Sequence, residues 1–227
     1  MQTLFKLTLL TLLLLGGVRA MAQTLEIKSG LNLSTMYAKD QRETYSDDFE
    51  LAPGFTLGVT GEFPVSESLS VESGLIFSSK GYKIDTYYPV PTFSGEFFPI
   101  DERATLNYID IPVMLKLTTS SKKTQLFGAL GPYVALGLSG KINREEYGID
   151  DQGAIVYKGS VDYAGEMGKD GQWKRFDYGM QAGVGMIIRK IVFRINYSYG
   201  LANIAQQENL TNNNRVIGVS LGYIINK

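Results

Sequence analysis

The chain has 227 residues, with 22 Lys and Arg against 23 Asp and Glu, and it contains neither Cys nor His. The charges are scattered and nearly balanced, which excludes the basic footprint of a nucleic-acid-binding protein. Without Cys, no disulfide can support the fold. The 25 Gly and 14 Tyr favour a β-barrel over a helical fold.

The N-terminal segment has the pattern of a cleaved signal peptide. Lys6 supplies a positive charge, Leu7–Leu15 is an apolar run, and Ala20-Met21-Ala22 is a small-x-small cleavage site. The run is shorter than the roughly 20 residues that a membrane-spanning helix needs. We therefore expect export, cleavage after Ala22 and one mature domain of residues 23–227.

The mature sequence divides into eight segments in which apolar and polar residues alternate, the period of a strand with one apolar face. The clearest segment has an aliphatic face opposite Asp110, Pro112, Met114 and Lys116. In chain order, the predicted strands are Leu25–Tyr37, Leu51–Phe63, Leu69–Tyr82, Ala104–Leu117, Thr124–Gly140, Arg175–Ile188, Ile191–Leu201 and a last strand after Asn214.

The connections between these segments alternate in length. The short ones are Pro64–Ser68, Thr118–Lys123 and Arg189–Lys190, and the long ones are Lys39–Glu50, Lys83–Arg103, Lys141–Lys174 and Ala202–Asn214. An even number of strands, with tight turns at one end and longer loops at the other, is typical of bacterial outer-membrane barrels. We therefore predict an all-β fold, an eight-stranded antiparallel up-and-down transmembrane β-barrel.

The face opposite the apolar one separates a membrane barrel from a soluble, lipocalin-like barrel, whose exterior is charged and whose interior is apolar. Here that face is rich in Gly, Ser, Thr and Ala, and Gly suits a narrow lumen better than a solvated strand. Its charges have both signs, so they can pair across a closed lumen. The predicted lumen charge network is Lys28, Glu62, Glu72, Lys80, Asp110, Lys116 and Arg194.

Aromatic residues near the predicted strand ends suggest the belts that mark membrane interfaces. The predicted belt residues are Tyr37, Phe63, Tyr82, Tyr108, Tyr133, Tyr178, Tyr197 and Tyr199, and Trp173 would mark the return of the longest loop to the interface. Within that loop, Ala154–Tyr163 alternates around Lys158-Gly159-Ser160. This pattern predicts that strands five and six run past the membrane as an exposed hairpin.

The absence of His and Cys excludes a Ser-His triad, a thiol nucleophile and the usual zinc sites. A mechanism using only carboxylates would draw on Glu145, Glu146, Asp150 and Asp151, whose turn-like context indicates a solvated loop instead. Asp47, Asp48 and Glu50, or Asp150 and Asp151, offer oxygen ligands for weak Ca²⁺ binding without EF-hand spacing. We expect no enzymatic activity and no cofactor.

The predicted loop Lys83–Arg103 combines aromatic residues with prolines, a composition that suits a stiff contact patch. Its candidate contact residues are Tyr87, Tyr88, Phe93, Phe97 and Phe98. One interpretation is that they bind a partner protein or a glycan. The other is that they fold over the barrel mouth and plug it.

Three segments resemble strands of PorT-like outer-membrane barrel proteins: Tyr108–Leu117, Gly131-Pro132-Tyr133 and Gly218–Tyr223. The resemblance extends over essentially the whole mature chain and concerns barrel architecture, not an active site. It implies contact with outer-membrane lipid; the founding member of the family is implicated in a secretion and gliding apparatus, and most relatives have no assigned role. The expected function is a structural, partner-binding or secretion-accessory role through external loops. The alternatives are a small passive channel and a soluble exported ligand-binding barrel.

Overall fold

The computed structural model describes residues 24–41, 44, 49–89, 97–119, 123–149, 155–168 and 171–226, so the expected signal peptide lies outside the described residues. Their strands are β1 (Thr24–Lys39), β2 (Phe49–Glu50), β3 (Ala52–Pro64), β4 (Leu69–Pro89), β5 (Phe97–Thr118), β6 (Thr124–Ile149), β7 (Ile155–Ala164), β8 (Phe176–Ile188), β9 (Ile191–Gly200) and β10 (Thr211–Asn226). No helix in these ranges is long and apolar enough to cross a membrane.

Eight of these strands form the predicted antiparallel barrel, which the structure confirms. Strands β1, β3, β4, β5, β6, β8, β9 and β10 each pair with the next one in that series. The first and last strands also pair, from Leu25↔Asn226 to Lys39↔Thr211, and this pairing closes the ring. The remaining strands are additions: β2 pairs with β4, and β7 pairs with β6.

The two faces of the barrel wall follow the alternation in the sequence. On β5, the Val113 side chain points outward and is 49% exposed, whereas Met114 points inward and is 2% exposed. Other large apolar side chains on the outer surface include Leu31, Leu75, Leu115, Leu130, Val184, Ile195 and Val219. Because charged residues lie inside and apolar ones outside, the arrangement is the reverse of a soluble ligand-binding barrel.

The long connection predicted at Lys83–Arg103 is wrong over most of its length. Strand β4 continues to Pro89 and β5 begins at Phe97, with pairs from Lys83↔Arg103 to Pro89↔Phe97. Polar residues and prolines suggested a loop because both are common in loops. Polar composition reports solvent exposure rather than backbone conformation, and a strand outside the membrane is exposed on its outer face.

The predicted exposed hairpin is present, but its second strand is separate from the barrel. Strand β6 runs on to Ile149 and pairs there with β7, while β8 begins only at Phe176. The register shifts between Glu146 and Tyr147, and Gly159 on β7 has φ 148°. A bulge of this kind bends a strand and increases its local twist.

Four of the aromatic residues predicted at the interfaces lie inside the barrel or its mouth. Tyr82, Tyr108, Tyr133 and Trp173 are buried among apolar side chains, so the belt prediction is wrong for them. The alternation already placed the three tyrosines on the inward face, since Tyr82 has the parity of Lys80. The predicted belt residues Tyr178, Tyr197 and Tyr199 do lie on the outer surface.

Candidate functional site: the charged lumen and the external sheet

The lower end of the barrel is the end with the short turns, and its interior contains six charged residues that we call the lower charge cluster. Glu72 lies at its centre. Its carboxylate accepts two hydrogen bonds from the Arg194 guanidinium, at 2.7 and 2.6 Å. The ammonium groups of Lys28 and Lys116 lie 3.2 and 3.6 Å from the same carboxylate. The members of the cluster are Glu26, Lys28, Glu62, Glu72, Lys116 and Arg194.

The remaining contacts complete the pairing of this cluster. Lys116 donates a 2.7 Å hydrogen bond to Glu62, and the Arg194 guanidinium lies 3.5 Å from Glu26. Lys116 and Arg194 also lie over the ring of Phe127, with distances of 4.7 and 4.9 Å to its centroid. Three acids and three bases leave no net charge among these described residues, which is how buried charges are tolerated.

Nearer the mouth, the lumen contains a second group, the upper charge cluster of Lys80, Asp110 and Asp177. The Lys80 ammonium lies 2.9 Å from Asp110 and 3.4 Å from Asp177. It also lies between the rings of Tyr108 and Tyr133, at 4.7 and 4.8 Å from their centroids. These cation–π contacts replace part of the hydration that the ammonium loses on burial.

Asp177 is completely buried and receives several donors. The Asn214 amide donates a 2.9 Å hydrogen bond to its carboxylate, and the Tyr133 hydroxyl donates one of 3.3 Å. This arrangement joins β4, β5, β6, β8 and β10 across the lumen. The upper cluster therefore contributes to closing the barrel interior.

Between the two clusters is a polar cavity of about 40 Å³, lined by residues that include Lys28, Asn32, Lys80 and Arg194. A volume of that size accommodates roughly three water molecules. Above the upper cluster, the buried Trp173 lies in a segment that pairs across the mouth with the segment around Ile204, where the Lys174 backbone N–H donates to the Ile204 carbonyl at 2.7 Å. The described part of the lumen is therefore filled and capped.

The structure brings together the residues of the predicted lumen network. Five of them, Lys28, Glu62, Glu72, Lys116 and Arg194, belong to the lower cluster, and Lys80 and Asp110 belong to the upper one. The lumen also contains Glu26, Asp177 and Asn214, which were not predicted there, and Tyr108 and Tyr133, which were predicted at the interface. Their position in the alternation was a usable signal, because Glu26 is two residues from Lys28 and so faces the same side of the strand. Asp177 shares a face with Gly179 in the same way.

The other candidate residues are not gathered into one site. Tyr87, Tyr88, Phe97 and Phe98 belong to paired strands, with Tyr88 opposite Phe98, and Phe93 lies outside the described residues. Glu145 and Glu146 bind tyrosines, whereas Asp47, Asp48, Asp150 and Asp151 lie outside the described residues. Within the described ranges, no group of three or more His, Cys, Asp and Glu could hold a metal ion.

Above the mouth, the ends of β4, β5 and β6 continue as a sheet to which β7 adds a further strand. We call this the external sheet. Its polar side chains pair across strands: Lys141 lies 2.8 Å from Asp162, and Asn143 donates to Ser160 at 2.7 Å. On the other face, Arg144 pairs with Glu102, which also accepts a 2.8 Å hydrogen bond from Tyr82. These contacts hold the external sheet to the barrel rim.

Hydrogen-bond partners shift the pKa values of two ionisable groups in the external sheet. The hydrogen bond from Tyr147 to Glu145 raises the pKa of the Tyr147 phenol to about 12. Hydrogen bonds from Asn143 and Lys141 lower the pKa of Asp162. Each partner stabilises one protonation state of the group that it contacts.

Comparisons with known proteins give one family and several similar folds. The family model described as outer membrane protein beta-barrel domain matches residues 21–206. The structure is similar to Ail, the attachment invasion locus protein of Yersinia pestis, with 15% identity, 89% of this chain and 100% of Ail covered, and a TM-score of 0.34. It is also similar to OprG from Pseudomonas aeruginosa, with 12% identity, 91% of this chain and 98% of OprG covered, and a TM-score of 0.45. A third similar structure is the Neisserial surface protein NspA, with 12% identity, 89% of this chain and 97% of NspA covered, and a TM-score of 0.39. A comparison with curated protein sequences finds no match.

Proposed function

Because this outer-membrane protein belongs to the outer membrane protein beta-barrel domain family, we propose that it is a non-enzymatic barrel that binds a partner through its external sheet. The barrel is embedded in outer-membrane lipid. The observation that carries the proposal is the closed lumen. Since the charge clusters and the Trp173 cap fill the interior, the surface outside the membrane is the part left for recognition.

The proposed orientation follows the usual rule for such barrels, with short turns in the periplasm and the longer connections outside. The external sheet then faces the surroundings of the cell. The residues Tyr87, Tyr88, Phe93, Phe97 and Phe98 remain a proposed contact surface for a protein or a glycan. The proposed signal peptide ends at Ala22, so N-terminal sequencing of the mature protein should begin at Gln23.

The lumen charge network has a structural role in this proposal. Paired charges of both signs hold the walls of the barrel together without leaving an aqueous path. The alternative of a passive channel would need a continuous water-filled passage, whereas the polar cavity of about 40 Å³ lies below a capped mouth. The resemblance to PorT-like proteins supports a finer proposal, an accessory role in secretion.

Single-channel recording in planar bilayers tests the closed lumen. We expect the purified, folded protein to give no porin-sized conductance steps, because an eight-stranded barrel has little space inside. The Trp173→Ala variant, which removes the largest side chain from the cap, is the informative comparison. A porin-sized step in the wild-type protein would contradict the proposal.

Site-specific crosslinking in cells tests the contact surface. A photo-reactive residue at Tyr157 in the external sheet should give a protein adduct. The same residue at Leu130, on the lipid-facing surface of β6, is the matched control and should give none. Equal adducts at both positions, or none at Tyr157, would contradict partner binding through the sheet.

A further inference from the structure

Within the part of the chain that the structure describes, one side of strand β7 has no partner strand. Along one side it pairs with β6, from Lys141↔Ala164 to Ile149↔Ile155. In the described part of the chain, no other strand pairs with β7, and no backbone hydrogen bond links Ile155–Ala164 to a second neighbour. Among the described residues, the N–H and C=O groups on its outer side have no backbone partner and can pair with another extended chain.

The features that usually protect an edge strand from pairing with another chain are present along only part of β7. Its bulge lies at Lys158 and Gly159, and a bulge twists an edge away from incoming strands. The Lys158 side chain, however, lies across Gly148 on β6 instead of projecting from the edge. Beyond the bulge, the six residues of Gly159–Ala164 pair with β6 without a register shift. This stretch is a regular open edge.

Exposed side chains flank the open edge on both faces of the sheet. Tyr157 is 57% exposed, and Tyr163 is 42% exposed with its hydroxyl bonded to Glu146 at 3.0 Å. When an extended peptide joins a sheet edge, main-chain hydrogen bonds give the affinity and contacts to alternate side chains give the specificity. The two tyrosines supply large, rigid surfaces for such contacts.

We propose that an extended segment of another polypeptide adds to the outer edge of β7 as an antiparallel strand. The matching segment is rich in β-branched or aromatic residues, so that successive side chains pack beside Tyr157 on one face and beside Tyr163 on the other. This inference rests on the proposed function, because it names the kind of partner that the external sheet binds. It assigns the recognition to backbone groups of Gly159–Ala164 rather than to a pocket.

A second copy of this chain is a poorer occupant of the same edge. Two copies in one membrane have the same orientation, so a twofold axis along the membrane normal keeps the components of their β7 strands along that normal in the same sense. Edge-to-edge pairing would then be parallel, which is slightly less stable per residue than antiparallel pairing. A segment of a different polypeptide has no such constraint and can approach in the antiparallel sense.

Hydrogen exchange on the full chain in detergent micelles tests the proposal. The probe is a synthetic ten-residue peptide of alternating Thr and Val with Lys at both ends. We expect it to slow exchange at least about tenfold at the outward-facing amides of Gly159–Ala164 and to leave β8 unchanged, because an added strand protects the amides that it bonds. The control peptide is N-methylated at alternate residues and should not protect β7.

A pair of proline variants locates the interaction on the backbone. Of two consecutive edge residues, one N–H bonds to β6 and the other points outward. Of Ser160→Pro and Val161→Pro, the variant that loses only the outward N–H should keep the hairpin and weaken peptide protection at least about tenfold. Tyr157→Ala changes a side chain instead and should retain protection at Gly159–Ala164.

The wild-type exchange result decides the proposal even where a proline variant fails to form the hairpin. No protection at β7, protection elsewhere only, or self-association of the protein through β7 would each overturn strand addition. These outcomes would leave the closed lumen and the Tyr157 crosslink intact. Conversely, a porin-sized conductance would overturn the proposed function without changing the exchange result at β7.

Discussion

Strands β5 and β6 pass through two environments, and their outward residues change where the strands leave the membrane. Within the barrel, β5 presents Ile109 to Leu117 in alternation toward lipid, and above the mouth it presents Asp101 and Arg103. On β6 the change comes between Leu138 and Lys141. The strands themselves continue without interruption. Apolar alternation therefore marks the thickness of the membrane, not the length of the strand.

The lumen and the external sheet differ in what an ion pair contributes to stability. Glu72 and Arg194 lie 2.6 Å apart in the lumen, with side chains 2% and 7% exposed. Lys141 and Asp162 lie 2.8 Å apart in the external sheet, with side chains 60% and 55% exposed. Nearly equal distances thus occur in very different surroundings. Removing a buried partner leaves an uncompensated charge, whereas water replaces an exposed one.

The largest effect is expected for Glu72→Gln. The substitution keeps the size of the side chain but removes the charge that faces Arg194, Lys28 and Lys116. Because the lower cluster then carries an unbalanced positive charge, we expect the free energy of unfolding to fall by about 3–5 kcal/mol. Urea titration followed by the gel mobility of folded and unfolded protein measures the change.

Asp162→Asn is the matched control, since it also replaces a paired carboxylate by an amide. Its ion pair with Lys141 is exposed, so the urea midpoint should not move measurably. Raising the salt concentration should leave the difference between the two variants intact, because buried charges are screened little. Equal midpoints for both variants would mean that the lumen is as wet as the external sheet.

A smaller effect is expected on the lipid-facing side of β5, the strand next to β4. Val113 lies midway along the outward apolar row of β5, so Val113→Arg should destabilise the barrel by about 2–4 kcal/mol. Met114→Gln, one residue on and facing the lumen, should be much milder because its cross-strand partner is the charged Glu72. Urea unfolding in the same lipid compares the two, and equal losses would contradict the assigned faces.

Most of the barrel could be predicted from the sequence because each strand faces two solvents at once. Lipid on one side and a polar lumen on the other impose alternation, so strand number, order and facing followed from the pattern. The external parts of β4 and β5 escaped detection because no lipid enforces an apolar row there. Strand β7 was found within a hairpin, yet its separation from β8 depends on long-range pairing that local sequence does not encode.

The interior was predicted in part for a related reason. Alternation identified inward charges such as Lys80 and Asp110, but it could not show which of them meet across the lumen. The inward tyrosines were misplaced because Tyr serves both interfaces and buried cation–π contacts. Trp173 belongs to an irregular segment without a period, and only the fold brings it over the mouth.

The smallest effect is expected in the external sheet, where a single hydrogen bond raises the pKa of a tyrosine. The pKa of Tyr147 is about 12 because its phenol donates to the Glu145 carboxylate, which stabilises the protonated form. Glu145→Gln removes the anionic acceptor, so the pKa should fall toward the usual value of about 10. Glu146→Gln, whose partner is Tyr163, should leave Tyr147 unchanged. NMR titration of ¹³C-labelled tyrosine reads each ring separately, and a wild-type value near that of free tyrosine would show that water has replaced the hydrogen bond.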